Sequence, residues 1–165
     1  MRKPRAPEDP DSEKAAYFLA LRWLTARELS TAQTRDRLER RGYTSAAIDQ
    51  ALQRLTSNRT LDDRRTARAV ARTEAKIRRH GPHRIMGRLT AIGIDRDLAR
   101  ETIKELFGED DERELLEQAL EKRLRSSRAT LADAAGRQKV LGYLIRQGFS
   151  SSAASALIRK RAREK

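Results

Sequence analysis

The chain has 165 residues, enough for one domain or a few small modules. It holds no cysteine and only two histidines, His80 and His83, which excludes a disulfide framework, a thiolate metal site and a cysteine nucleophile. Lys and Arg number 37 against 24 Asp and Glu, a net charge of +13, which calls for an anionic partner or a partner surface with acidic patches.

Residues 1–14 carry four basic and four acidic side chains and three prolines, and predict a disordered, neutral lead-in. They contain no apolar stretch of a secretory signal. No apolar run further on approaches the ~20 residues that cross a bilayer. The expected location is the cytoplasm. After the lead-in, strand and hairpin signals are absent and apolar residues recur at three and four. Aromatics are only 4% of the chain, so small helical layers built on Ala and Leu fit better than one bulky core.

The chain repeats. Leu38, Leu89 and Leu144 each lie four residues before a glycine: Gly42, Gly93 and Gly148. The glycines are followed by Tyr43-Thr44, Ile94-Asp95 and Phe149-Ser150. The unit has a physical reading. Glycine takes the left-handed position that ends a helix. The next apolar residue tucks back onto that helix, and Thr, Asp or Ser caps the following one. The glycines are 51 and 55 residues apart, so each repeat needs about three helices.

The first repeat (15–56) is predicted to hold helices at 16–27, 31–41 and 45–56, with Ser30 as a cap. The second (57–108) is predicted to hold helices at 62–80, 83–91 and 96–107, punctuated by Gly81-Pro82. The third (109–165) is predicted to hold helices at 111–126, 135–147 and 151–163, with Gly136 and Gly142 weakening the middle one. The expected fold is all-α: three tandem three-helix repeats forming an elongated, curved body. The three repeats carry +3, +6 and +4, so the middle one is the most basic.

The helix predicted over 62–80 is the most informative. With Arg64 at zero and ~100° per residue, Arg68, Arg79, Arg72, Arg65 and Lys76 fall between roughly 40° and 120°. Ala67, Val70, Ala71 and Ile77 fall between roughly 220° and 340°. Six cations therefore share a face opposite a thin apolar stripe, with no glutamate inside the stripe to neutralise them. Such a ridge suits phosphates or acidic side chains of a partner; a solvated helix face is the plainer alternative. Arginine supplies 29 of the 37 basic residues. Guanidinium recognition of phosphate accounts for that bias, and so does GC-rich codon usage.

Other clusters point to structure. Asp62 and Asp63 open the long helix as N-cap and first-turn charge. His80 sits at a helix end, where the dipole favours its charge, and His80 with His83 lacks the further ligands of a zinc site. Acids over 109–121 followed by bases over 122–128 make one helix with complementary ends. Tyr43 and Phe149 are expected as core staples rather than base-stacking platforms. Tyr17, Phe18, Leu21 and Trp23 are expected to pack the first repeat. Phosphate-loop, dinucleotide and nucleophile-elbow motifs are absent, so neither an enzyme nor a cofactor nor a metal site is expected.

The order and spacing of several stretches resemble the RecX family of RecA regulators over most of residues 15–160. They are Ala20-Leu21-Arg22 with Arg27-Glu28-Leu29-Ser30, Leu38 to Gly42-Tyr43, Leu61-Asp62-Asp63-Arg64 with Ala67, Ile85 to Gly93-Ile94, and Tyr143-Leu144 to Gly148-Phe149-Ser150. Thr66 departs from the aromatic usual after Asp-Asp, and Gln147 from a second arginine before Gly-Phe. The resemblance implies a protein of DNA repair and the SOS response that binds RecA and the RecA–single-stranded DNA filament. It implies binding along the filament groove or at the growing end, with less ATP hydrolysis, strand exchange and coprotease activity. On this reading the chain is a monomer away from membranes, with a capacity for weak direct DNA binding. Arg64, Arg65, Arg68, Arg72, Lys76 and Arg79 are its candidate contacts for RecA or DNA. The competing expectation is a stand-alone basic helical nucleic-acid-binding protein that acts without RecA.

Overall fold

Ser12 starts the ordered helical array: its hydroxyl accepts from Ala15 N–H and opens α1 (Glu13–Ala26). The computed structural model describes residues 7–126 and 130–163. Ser30 opens α2 (Thr31–Arg41) with a full capping box, its side chain accepting from Gln33 N–H and the Gln33 amide accepting from Ser30 N–H. Then follow α3 (Ser45–Ser57), α4 (Asp63–Lys76), α5 (Pro82–Ala91) and α6 (Arg96–Leu106). The last three are α7 (Glu109–Ser126), α8 (Ala134–Arg146) and α9 (Ser151–Arg163). No strand occurs among the described residues.

The glycine step recurs as three left-handed residues: Gly42, Gly93 and Gly148 have φ of 93°, 77° and 96°. The caps after them differ. Asp95 accepts from Asp97 and Leu98 N–H, and the Ser150 hydroxyl from Ala153 N–H. Thr44 makes no side-chain cap; its N–H donates to the Pro10 carbonyl instead. The lead-in expected to be disordered up to residue 14 is therefore pinned from Pro10 onward. Residues 1–6 lie outside the described residues. Gly136 and Gly142 both sit within α8, and the Asp133 carboxylate holds its first turn through Gly136 N–H.

Two apolar cores form. One belongs to the first repeat: Ala16, Tyr17, Leu38, Ile48, Leu52 and Leu55 are among its members. The other runs through the second and third repeats, from Ala67 and Ala71 through Ile85 and Leu89 to Leu144, Phe149 and Ile158. Tyr43 and Phe149 both pack on these cores. Phe18 does not: it is 53% exposed and meets Tyr17 edge-on, because its place on α1 faces away from α3 and Leu38. Polar bonds join the first repeat to the second. Thr31 N–H donates to Asp63 Oδ1 (2.8 Å), the Ser30 hydroxyl to the Ile92 carbonyl, and the Thr66 hydroxyl to the Leu29 carbonyl (3.2 Å). Thr66 is fully buried there, so the departure from an aromatic supplies a bond between repeats. The accessible surface is 10801 Å², against roughly 8,300 Å² for a compact monomer of this mass. The body is elongated.

Candidate partner-binding face

Helix α4 begins as expected and ends early. The Asp62 side chain accepts from Arg65 N–H, and the helix closes at Lys76 rather than His80. Arg79 takes φ of 58°, and the Arg79 and His80 amides turn back to the Ala75 and Glu74 carbonyls. Two expectations fail with that turn. Arg79 leaves the helical face, and Ile77, assigned to the apolar stripe, is 70% exposed.

The six cations divide. Arg64 grips Glu101 of α6 with two bonds of 2.9 Å. Arg68 grips Glu105 with bonds of 3.0 and 3.1 Å. Arg65 Nε donates to Glu28 (2.7 Å), while its other nitrogens donate to the Arg59 and Thr60 carbonyls. The ridge thus has acidic relief after all. It comes from residues 37 positions away, which a helical wheel cannot show. These three arginines tie α4 to α6 and to the first repeat.

Arg72, Lys76 and Arg79 form the other half. None has a carboxylate within 4 Å among the described residues. Arg72 and Lys76 line one wall of a cleft of about 550 Å³ between α4 and α7. Glu105, Asp111 and Glu114 also line it, with Phe107 and Leu115. Arg79 lines an adjoining cleft of about 420 Å³ with Gln118, Glu121, Lys122 and Arg125; Gln118 borders both. This half can receive an anionic partner without first giving up a salt bridge.

Asp62 and Asp63 are structural, one a cap and the other a link between repeats. His80 is buried beside a buried Glu74, with Nδ1 2.6 Å from Oε2, and His83 is exposed. Sequence reasoning missed Glu74, and it missed a second basic face on α5 and α8. A scan for acid-free stretches would have found the latter.

Three carboxylates are held below their ordinary values. Asp62 is lowered chiefly by the backbone bond from Arg65, Asp95 by that from Leu98, and Glu101 by the bond from Arg64. A lowered folded-state pKa favours folding above the ordinary carboxylate range, and that contribution is lost as pH falls through the lowered values. The unfolding temperature is therefore expected to stay level above about pH 5 and to drop below about pH 4. Thermal melts followed by circular dichroism across pH check this; a level profile down to about pH 2.5 contradicts it.

Three family models match in order: the first, second and third three-helix domains of RecX, over residues 16–55, 62–103 and 109–158. A regulatory protein RecX of Syntrophotalea carbinolica is 37% identical over 83% of this chain and 90% of its own length. The chain belongs to the RecX family. A RecX of Bacillus licheniformis is 31% identical over 91% of this chain, which spans 56% of that longer relative. The crystal structure of RecX from Lactobacillus salivarius superposes with a TM-score of 0.76 at 19% identity, covering 93% of this chain and 97% of that one. A second crystal structure, of regulatory protein RecX, gives 0.79 at 22%, covering 93% and 73%. Both share the all-α repeat fold. As a RecX the chain is a regulatory protein, and no helix among the described residues is long and apolar enough to cross a membrane.

Proposed function

We propose that this RecX is a negative regulator of RecA in DNA repair and the SOS response. It binds the RecA–single-stranded DNA filament, in its groove or at its growing end, as a cytoplasmic monomer. Binding lowers ATP hydrolysis, strand exchange and coprotease activity. Membership of the RecX family carries this reading. The open half of the α4 ridge supports it physically. Arg72, Lys76 and Arg79 offer unpaired cations beside a cleft, where an anionic surface gains charge-assisted bonds. Arg64, Arg65 and Arg68 support the contact indirectly, by fixing the orientation of α4. An elongated basic body also suits a helical groove lined by acidic protein and bound DNA. The protein binds and carries out no catalysis on this reading.

A titration of RecX into RecA's single-stranded-DNA-dependent ATP hydrolysis tests it. Inhibition is expected at a small fraction of the RecA concentration with DNA in excess. Inhibition only once RecX coats the DNA would favour a stand-alone nucleic-acid-binding protein.

A further inference from the structure

Residues 75–94 contain no aspartate or glutamate, and neither do residues 134–163. The fold brings these two stretches edge to edge. Gly81 N–H donates to the Gln147 carbonyl (2.8 Å), His83 N–H to the Gly148 carbonyl (3.0 Å), and Arg84 Nη1 to the Arg146 carbonyl (3.0 Å). Along α5, His83, Arg84, Gly87 and Arg88 form the exposed side, opposite the buried Ile85 and Leu89.

Charge on this face is poorly balanced. Glu74 is its neighbouring carboxylate, and it is buried. Its Oε2 is taken by His80, and its Oε1 is shared by Arg78 at 3.1 Å and Arg88 at 3.9 Å. Arg84 and Arg146 have no carboxylate within 4 Å among the described residues. Four arginines from three elements therefore face one carboxylate. Arg78 and Arg88 meet at Glu74, Arg84 and Arg88 are one helical turn apart, and Arg84 reaches Arg146.

Gly87 sits in the middle of this face. A Cβ built there meets nothing within 4 Å, so no internal packing asks for glycine. Glycine in a helix interior weakens the helix relative to alanine. What the bare position provides is close approach to the helix backbone. A partner whose charge lies on its own backbone exploits that gap. Acidic side chains of a protein gain little from it, since they reach out past their own Cβ atoms.

We propose that this face of α5 and the end of α8 is a second contact surface, which grips the sugar–phosphate backbone of a nucleic acid irrespective of sequence. Guanidinium groups fork onto successive phosphates, and Gly87 lets the strand lie against the helix. The surface is distinct from the α4 ridge and needs no RecA, so its test is independent of the regulatory reading.

The experiment measures binding of the full chain to a fluorescein-labelled oligothymidylate by anisotropy over a series of salt concentrations, without RecA. The R84A/R88A variant is expected to bind roughly tenfold more weakly at low salt, and its log K against log salt plot to flatten by about two. Gly87→Leu is expected to weaken binding about fivefold while leaving the thermal midpoint unchanged or raised, since a side chain there meets open space. A merely structural glycine would not separate those two readings. Wild-type binding by both variants overturns the proposal, as does a wild-type chain that fails to bind at low salt. Retained oligonucleotide binding with lost RecA-filament binding would also overturn it, and would assign the face to an acidic protein.

Discussion

A chain carrying R72E, K76E and R79E is expected to inhibit RecA's ATP hydrolysis about a hundredfold more weakly than wild type, with its circular dichroism unchanged. Each of these cations can make a charge-assisted bond to an anionic partner, and reversal turns three attractions into repulsions. Folding is spared because none of the three holds a carboxylate within 4 Å among the described residues. An R72A/K76A/R79A variant controls for crowding of new glutamates against Asp111 and Glu114 in the cleft. It should lose a large part of the inhibition as well. The companion variant R64E/R68E has the opposite expected profile. It breaks the grips on Glu101 and Glu105, so it should melt earlier yet still inhibit at low temperature. Full inhibition by the first variant would remove the ridge from the contact surface. Equal loss by both variants would mean that the six cations act as one.

Gly148→Ala is expected to cost about 2–5 kcal/mol, against about 1–2 kcal/mol for Gly42→Ala. Both glycines have positive φ, at 96° and 93°, so both substitutions carry the left-handed strain. Their surroundings differ. A Cβ on Gly42 meets only Pro7 Cδ at 3.5 Å, ordinary contact. A Cβ on Gly148 falls 2.4 Å from Arg84 N and 2.5 Å from Arg84 Cβ, and the Gly148 carbonyl there accepts from His83 N–H. The clash is with backbone at the start of α5, so a side-chain rotation cannot relieve it. Phe149, next in sequence, is buried in the core shared by the second and third repeats, so opening this junction disturbs that core directly. Chemical denaturation of both variants measures the difference. Equal losses would show that the α5–α8 junction yields without cost.

The repeat frame was legible because it rests on local chemistry. Leu38, Gly42 and Tyr43, and their counterparts in the later repeats, act within a few residues of one another, so a helix stop, a staple and a restart are written in adjacent letters. Caps at Ser30, Asp62 and Asp95 follow from the same local rule. The apolar stripe of α4 was legible as far as Ala75, since a regular helix converts spacing into direction. The early end of that helix was not. Gly81-Pro82 marked a break, while the left-handed turn fell at Arg79, a residue type with no preference for it.

What only the tertiary structure decided is which charges are already spent. Arg64 and Arg72 look alike in sequence and share a helical face. One lies opposite Glu101 on α6, and the other lines an open cleft. That difference depends on how α6 and α7 lie against α4, and ion pairs between residues 37 apart leave no periodic trace. The same holds for the α5–α8 face. Its two acid-free stretches are plain in the sequence, yet about forty residues of chain separate them. They become one surface only where the Gly81, His83 and Arg84 donors meet the end of α8. Composition and periodicity determined that this chain is a basic, helical, three-unit repeat. Docking of the units determined where its free charge faces, because electrostatic pairing depends on distance in space and not along the chain.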